Sequence, residues 1–200
     1  MRFLALGDSY TIGESVEPAE RWPVQLRRRL GERGLNFEEP LIIATTGWTT
    51  DELSAAIDRA DPRGPFDLVS LLIGVNNQYR GRGAEEYRHQ FNDLLRRAIE
   101  FAGGQAGQVL VLSIPDWGVT PFAAGRDRGA IAAAIDQFNL INRDEAAWAG
   151  ARYIDVTPVS REAAHDPALI AADGLHPSGK MYGAWAELAL PEAAEALESV

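Results

Sequence analysis

Five short apolar runs, each followed by a longer segment of helical period, constrain this chain more than any other feature. Phe3–Leu6, Leu41–Ala44, Leu68–Ile73, Val109–Ile114 and Tyr153–Val156 are dominated by Leu, Ile and Val, without strict polar alternation. A strand apolar on both faces must be covered on both, so these runs read as parallel strands between layers of helix. The intervening segments supply the helices. Trp22, Leu26 and Leu30 share one face of a helix over 23–33, and Thr49 with Glu52 forms the capping-box pattern of the next. Tyr87, Phe91, Leu94, Leu95, Ala98, Ile99 and Ala102 line a third, which Gly103-Gly104 stops. Ile131, Ile135, Phe138 and Ile141 point inward from a fourth, over 127–149, and a fifth runs from about Pro177-Ser178 to the C-terminus. No repeat or linker interrupts this order. It predicts one three-layer α/β/α domain over 1–200 with a mainly parallel five-stranded sheet, and right-handed crossovers leave few topologies for it.

Composition removes several chemistries. The chain has 200 residues and no cysteine, which excludes thiol nucleophiles, Cys-ligated zinc and disulfides. Its three histidines are His89, His165 and His176, too few for a His-rich metal centre. Lys180 is the sole lysine, and no phosphate-loop pattern surrounds it. A formal net charge of −10 repels nucleic-acid backbones and anionic membranes, so nucleic acid is not an expected partner. No stretch approaches the roughly 20 apolar residues of a membrane span. The apolar run after Arg2 ends at Gly7-Asp8, short of the roughly 7–15 residues of a secretory core, so the chain as given reads as cytoplasmic. Oligomeric state is not legible.

Open α/β sheets bind ligands outside the carboxyl ends of their strands. Here those ends carry Gly7-Asp8-Ser9-Tyr10, Thr46-Gly47-Trp48, Gly74-Val75-Asn76-Asn77, Pro115-Asp116-Trp117 and Asp173-Gly174-Leu175-His176. Ser9 can expose its hydroxyl where the first strand turns into a helix, although Asp8 and Ser9 equally fit a plain helix cap. A serine nucleophile needs a base, and a histidine base needs a third group to fix its tautomer. His176 and Asp173, three apart in a turn, can supply both, or can be unrelated loop residues. A tetrahedral intermediate needs donors. The N–H groups of Ser9 and Gly47 and the side-chain amide of Asn76 are candidates, while glycine and asparagine are also common turn residues.

Taken together, the blocks at Gly7–Tyr10, Gly47, Gly74–Asn77 and Asp173–His176 resemble the SGNH (GDSL-type) hydrolases, in order and across nearly the whole chain. The resemblance implies a flavodoxin-like fold and hydrolysis of small-molecule esters or thioesters through an acyl-enzyme on Ser9. It implies His176 as base, Asp173 as its orienter, Ser9, Gly47 and Asn76 as oxyanion donors, and no metal or organic cofactor. The third block departs from the usual Gly-x-Asn-Asp at Asn77, which cannot accept charge-assisted bonds as a carboxylate does. Tyr10 stands where leucine is usual.

Around this edge, Asn77, Tyr79, Arg80 and Trp117 are candidate substrate contacts. Arg80 and Arg82 could meet an anionic group, and Tyr79 and Trp117 could wall a pocket. Arg27-Arg28-Arg29 reads as a solvated helix face, and His89 and His165 as surface. Competing readings are acyl transfer from the same acyl-enzyme, a non-catalytic module of the same fold, a metallophosphoesterase using Asp8, Asn76 and His176, and a receiver domain. The third lacks enough ligands for two metals. The fourth lacks the acidic pair and the lysine that such a domain needs.

Overall fold

The computed structural model describes residues 1–198. In chain order its elements are β1 (Phe3–Gly7), α1 (Ser9–Ile12), α2 (Trp22–Glu32), β2 (Leu41–Ala44), α3 (Thr50–Ala60), β3 (Leu68–Leu72), α4 (Val75–Tyr79), α5 (Ala84–Phe101), β4 (Val109–Leu112), α6 (Arg128–Ala149), β5 (Arg152–Ile154), α7 (Thr157–Arg161) and α8 (Gly179–Glu198). The strands form one all-parallel sheet in the order β2-β1-β3-β4-β5. Helix α2 packs on α8, and α5 packs against α3 and α6. The two sets cover opposite faces, as right-handed crossovers require. β1, β3 and β4 are buried along their length. That is why they lack polar alternation. No helix among the described residues is long and apolar enough to cross a membrane.

The expected helix faces are the buried ones. Trp22, Leu26 and Leu30 are fully buried, as are Tyr87 and Phe91. Thr49 and Glu52 close a reciprocal capping box on α3, and Asp127 caps α6 through Ala130 N–H.

β1 runs one residue past the expectation, to Gly7, and β5 starts one residue earlier, at Arg152; three strands stop short of the expectation, each where a side chain takes over the backbone. After Leu112, the amide of Asn139 both receives Ile114 N–H and donates to Ile114 C=O, at 2.7 and 2.9 Å, so Ile114 leaves the sheet. After Ile154, Ser113 Oγ accepts from Val156 N and Thr157 N, which stops β5 two residues short of Val156 and opens α7. After Leu72, Ile73 C=O accepts from the Tyr87 hydroxyl. The last helix begins at Gly179. Ser178 accepts from Tyr182 and Pro177 pairs with Ile170, ahead of the helix. Ser199 and Val200, expected to belong to that helix, lie outside the described residues.

Strand order reverses at β1, whose neighbours are β2 and β3, and the ends of β1 and β3 face the resulting crevice. An open parallel sheet offers a ligand site there. Ser9 follows β1 directly and Asn76 follows β3.

Candidate active site

Ser9 opens α1, whose N-cap is Asp8. Gly7 has to be glycine. A Cβ there would stand 2.2 Å from Thr11 Oγ1 and 2.4 Å from Leu72 O. Strand β1 can therefore run straight into α1 against β3, with Ser9 at the mouth of the crevice. Asp8 is fully buried. Its Oδ1 accepts from Tyr10 N at 3.1 Å, and its Oδ2 has no partner among the described residues. Burial pushes its carboxyl up to about 7, outweighing the backbone bonds that favour the charge.

A cleft of about 180 Å³ opens at this point. Ser9, Gly47, Asn76 and His176 all line it, and Tyr10, Val75, Tyr79, Trp117 and Phe122 supply most of the rest. His176 Nδ1 lies 2.6 Å from Asp173 Oδ2. The turn makes this pair local: Asp173 Oδ1 accepts from Leu175 N and His176 N, both at 2.9 Å. Ser15 Oγ donates to Asp173 Oδ2 at 2.7 Å. Partial burial raises the Asp173 carboxyl, but the bonds from His176, Leu175 N, Ser15 and His176 N outweigh it and hold it well below the usual carboxylate range. The imidazole also meets the Tyr10 ring edge-on at 5.8 Å. Ser9 Oγ and His176 make no hydrogen bond to each other among the described residues. Such contacts often close only with substrate bound.

The donors are free to act. Neither Ser9 N–H nor Gly47 N–H finds an acceptor among the described residues. Gly47 sits at φ +88, a backbone conformation that glycine adopts without strain. Asn76 Nδ2 gives one hydrogen to Trp48 C=O at 2.9 Å, which orients the amide and leaves the other hydrogen available.

The remaining candidate residues fall differently. Tyr79 and Trp117 line the cleft. Asn77 does not: it is fully buried behind the wall. Its Oδ1 accepts from Thr50 N and its Nδ2 donates to Thr50 Oγ1, while Thr50 Oγ1 donates on to Gln90. An amide fits here because it is asked both to accept and to donate. Arg80 is a strut: it donates to Gly47 C=O at 2.7 Å and to Glu52 at 3.3 Å. Arg82 pairs with Asp51 at 2.6 Å. Arg27 and Arg29 pair with Glu39 and Glu187, and the His89 side chain is 84% exposed. Among the described residues no group of three His, Asp or Glu side chains is arranged to hold a metal.

Sequence reasoning misses Ser15 and Phe122. Ser15 lies 158 residues from Asp173, and a lone serine carries no local signal for such a contact. Its one oddity, φ +64 in a non-glycine residue, is visible only in the structure.

A sequence model of the GDSL-like lipase/acylhydrolase family matches residues 5–184. No curated protein matches the chain directly. Among solved structures, TesA superposes with a TM-score of 0.73 at 19% identity, over 98% of this chain and 100% of that one. Axe2, an acetylxylan esterase from Geobacillus stearothermophilus, gives 0.73 at 19% identity, over 96% and 93%. The psychrotrophic esterase EstA from Pseudoalteromonas sp., described as inhibited by monoethylphosphonate, gives 0.71 at 15% identity, over 98% of each.

Proposed function

The chain belongs to the GDSL-like lipase/acylhydrolase family and is a carboxylic ester hydrolase, and from that premise we propose that Ser9, His176 and Asp173 carry the reaction within a single domain. Ser9 Oγ attacks the ester carbonyl carbon and passes its proton to His176 Nε2. The oxygen that becomes negative is received by Ser9 N–H, Gly47 N–H and Asn76 Nδ2. Nε2 returns the proton to the departing alcohol as the carbon–oxygen bond breaks, leaving an acyl group on Ser9. Water then attacks that acyl carbon, its proton goes to Nε2 and on to Ser9 Oγ, and the acid is released. Asp173, held ionised, keeps Nδ1–H facing itself so that Nε2 carries the lone pair, and it stabilises the imidazolium.

The observation that carries this reading is the convergence of Ser9, His176 and two unengaged backbone N–H groups on one cleft, with Asp173 at 2.6 Å behind the histidine. A cleft of about 180 Å³ is small beside the roughly 300–1,000 Å³ of drug-sized sites, which points to short acyl groups. The direct test is covalent. A fluorophosphonate should add one phosphonyl group to the peptide bearing Ser9 and abolish hydrolysis of nitrophenyl acetate. Labelling of Ser9→Ala to the same extent, or undiminished turnover by that variant, would remove Ser9 as nucleophile.

A further inference from the structure

The cation stacked on the aromatic wall of the cleft is neither of the two arginines that the sequence brings forward. Arg80 and Arg82 are committed to acids and to Gly47. Arg126 is exposed and has no acidic partner among the described residues. Its guanidinium carbon stands 5.2, 5.3 and 5.2 Å from the ring centroids of Tyr79, Trp117 and Phe122. Those rings contact one another at 5.5–6.3 Å, and all three line the cleft that holds Ser9. One N–H reaches the Tyr79 hydroxyl at 3.2 Å. A guanidinium has five N–H groups in a plane, so most of the fork is unengaged.

The neighbouring Asp127 turns its Oδ1 to Ala130 N–H, and Arg128 lies beside it, reaching Thr120 C=O at 3.4 Å. The wall is also tied to the histidine loop, because Phe122 N donates to Gly174 C=O at 3.0 Å. A group bound at Arg126 is thus held against the same frame as His176. Three ring faces restrain the side chain, which lowers the ordering cost of a contact with ligand.

We propose that Arg126, seated on the Tyr79–Trp117–Phe122 wall, binds a carboxylate carried by the ester, so that the enzyme prefers anionic esters to neutral ones of the same shape. This rests on the hydrolase reading of Ser9. The test compares two matched pairs: 4-acetoxybenzoate with 4-acetoxybenzamide, and nitrophenyl hydrogen succinate with its methyl ester. The first pair places the charge on the alcohol and the second on the acyl group. For at least one pair, wild type should favour the anion in kcat/KM by about 2–5-fold at low salt, the upper part of the range of an exposed charge contact. That preference should shrink at high salt. It should fall to about one in Arg126→Gln and be partly retained in Arg126→Lys. A ratio near one in wild type for both pairs, or a preference unchanged in Arg126→Gln, overturns the proposal while Ser9-dependent turnover still stands. Absence of turnover on all four esters, or equal turnover by Ser9→Ala, overturns the hydrolase reading and this proposal with it.

Discussion

Asp8→Asn should make the protein more stable at alkaline pH, and by an amount that the burial of Asp8 sets. The carboxyl is fully buried, one oxygen has only Tyr10 N–H, and the other has no partner among the described residues. Burial raises it from 3.8 to about 7. Below 3.8 both folded and unfolded chains hold this proton, and above 7 neither does. Between those values the unfolded chain has released it and the folded chain has not, so stability falls as pH rises through the window. At 1.36 kcal/mol per pH unit, the interval from 3.8 to about 7 amounts to about 4 kcal/mol. That is a large share of the roughly 5–15 kcal/mol typical of a domain. Asparagine keeps the acceptor for Tyr10 N–H and cannot ionise. The gap between variant and wild type should therefore open by about 4 kcal/mol from about pH 4 to about pH 8, with the variant ahead. Urea unfolding followed by tryptophan fluorescence measures it directly. Taking the difference cancels the carboxylates that titrate the other way, such as Asp173, whose contribution is lost at acid pH. A gap independent of pH, or a variant less stable than wild type at about pH 8, would refute the account of Asp8 as a carboxyl kept neutral by burial.

Three further outcomes are expected. Asn76→Ala should lower kcat about 10²–10³-fold with the fold intact by circular dichroism, the loss typical of one oxyanion donor; an unchanged kcat removes Asn76 from the chemistry. Ser15→Ala and Ser15→Gly should each lower kcat about 5–30-fold with little change in KM, because both lose the bond to Asp173. If Ser15→Gly alone keeps wild-type kcat, the strained backbone and not the hydroxyl is what matters there. Gly74→Ala should cost about 2–4 kcal/mol in urea unfolding, since φ is +127 and a Cβ would stand 2.4 Å from the Tyr87 hydroxyl; a loss under about 0.5 kcal/mol would contradict that packing.

The layers of the fold were legible because burial on both faces leaves a direct mark: β4 is a continuous apolar run, β3 is apolar but for the buried Ser70, and the Thr49–Glu52 box marks where α3 starts. Strand ends were not. Asn139 and Ser113 terminate β4 and β5 from elsewhere in the chain, and no local pattern announces a side chain that replaces a ladder bond. Helix α4 is only five residues long, too short to show a period, and reads as loop. The candidate site was legible where its residues are neighbours in sequence or sit at strand ends, as with Asp173 and His176. The bonds of Arg80 to Gly47 and Glu52 are not legible, because those partners lie about thirty residues away. Ser15 and Arg126 gain their meaning only from tertiary contacts.

The turn after β2 and the turn after β3 are stitched together at successive points: Asn76 to Trp48, Asn77 to Thr50, Arg80 to Gly47 and Arg82 to Asp51. The helices that follow the two turns, α3 and α5, are joined as well, through Thr50 to Gln90 and through Arg97 to Ser54 and Asp58. Opening one turn therefore breaks bonds of the other. In native-state hydrogen exchange the amides around Thr50 and those of 78–82 should share one opening free energy and respond alike to denaturant, as a single cooperative unit. Two of the three oxyanion donors would then be lost and regained together, and thermal inactivation of the enzyme would track the opening of this unit ahead of global unfolding.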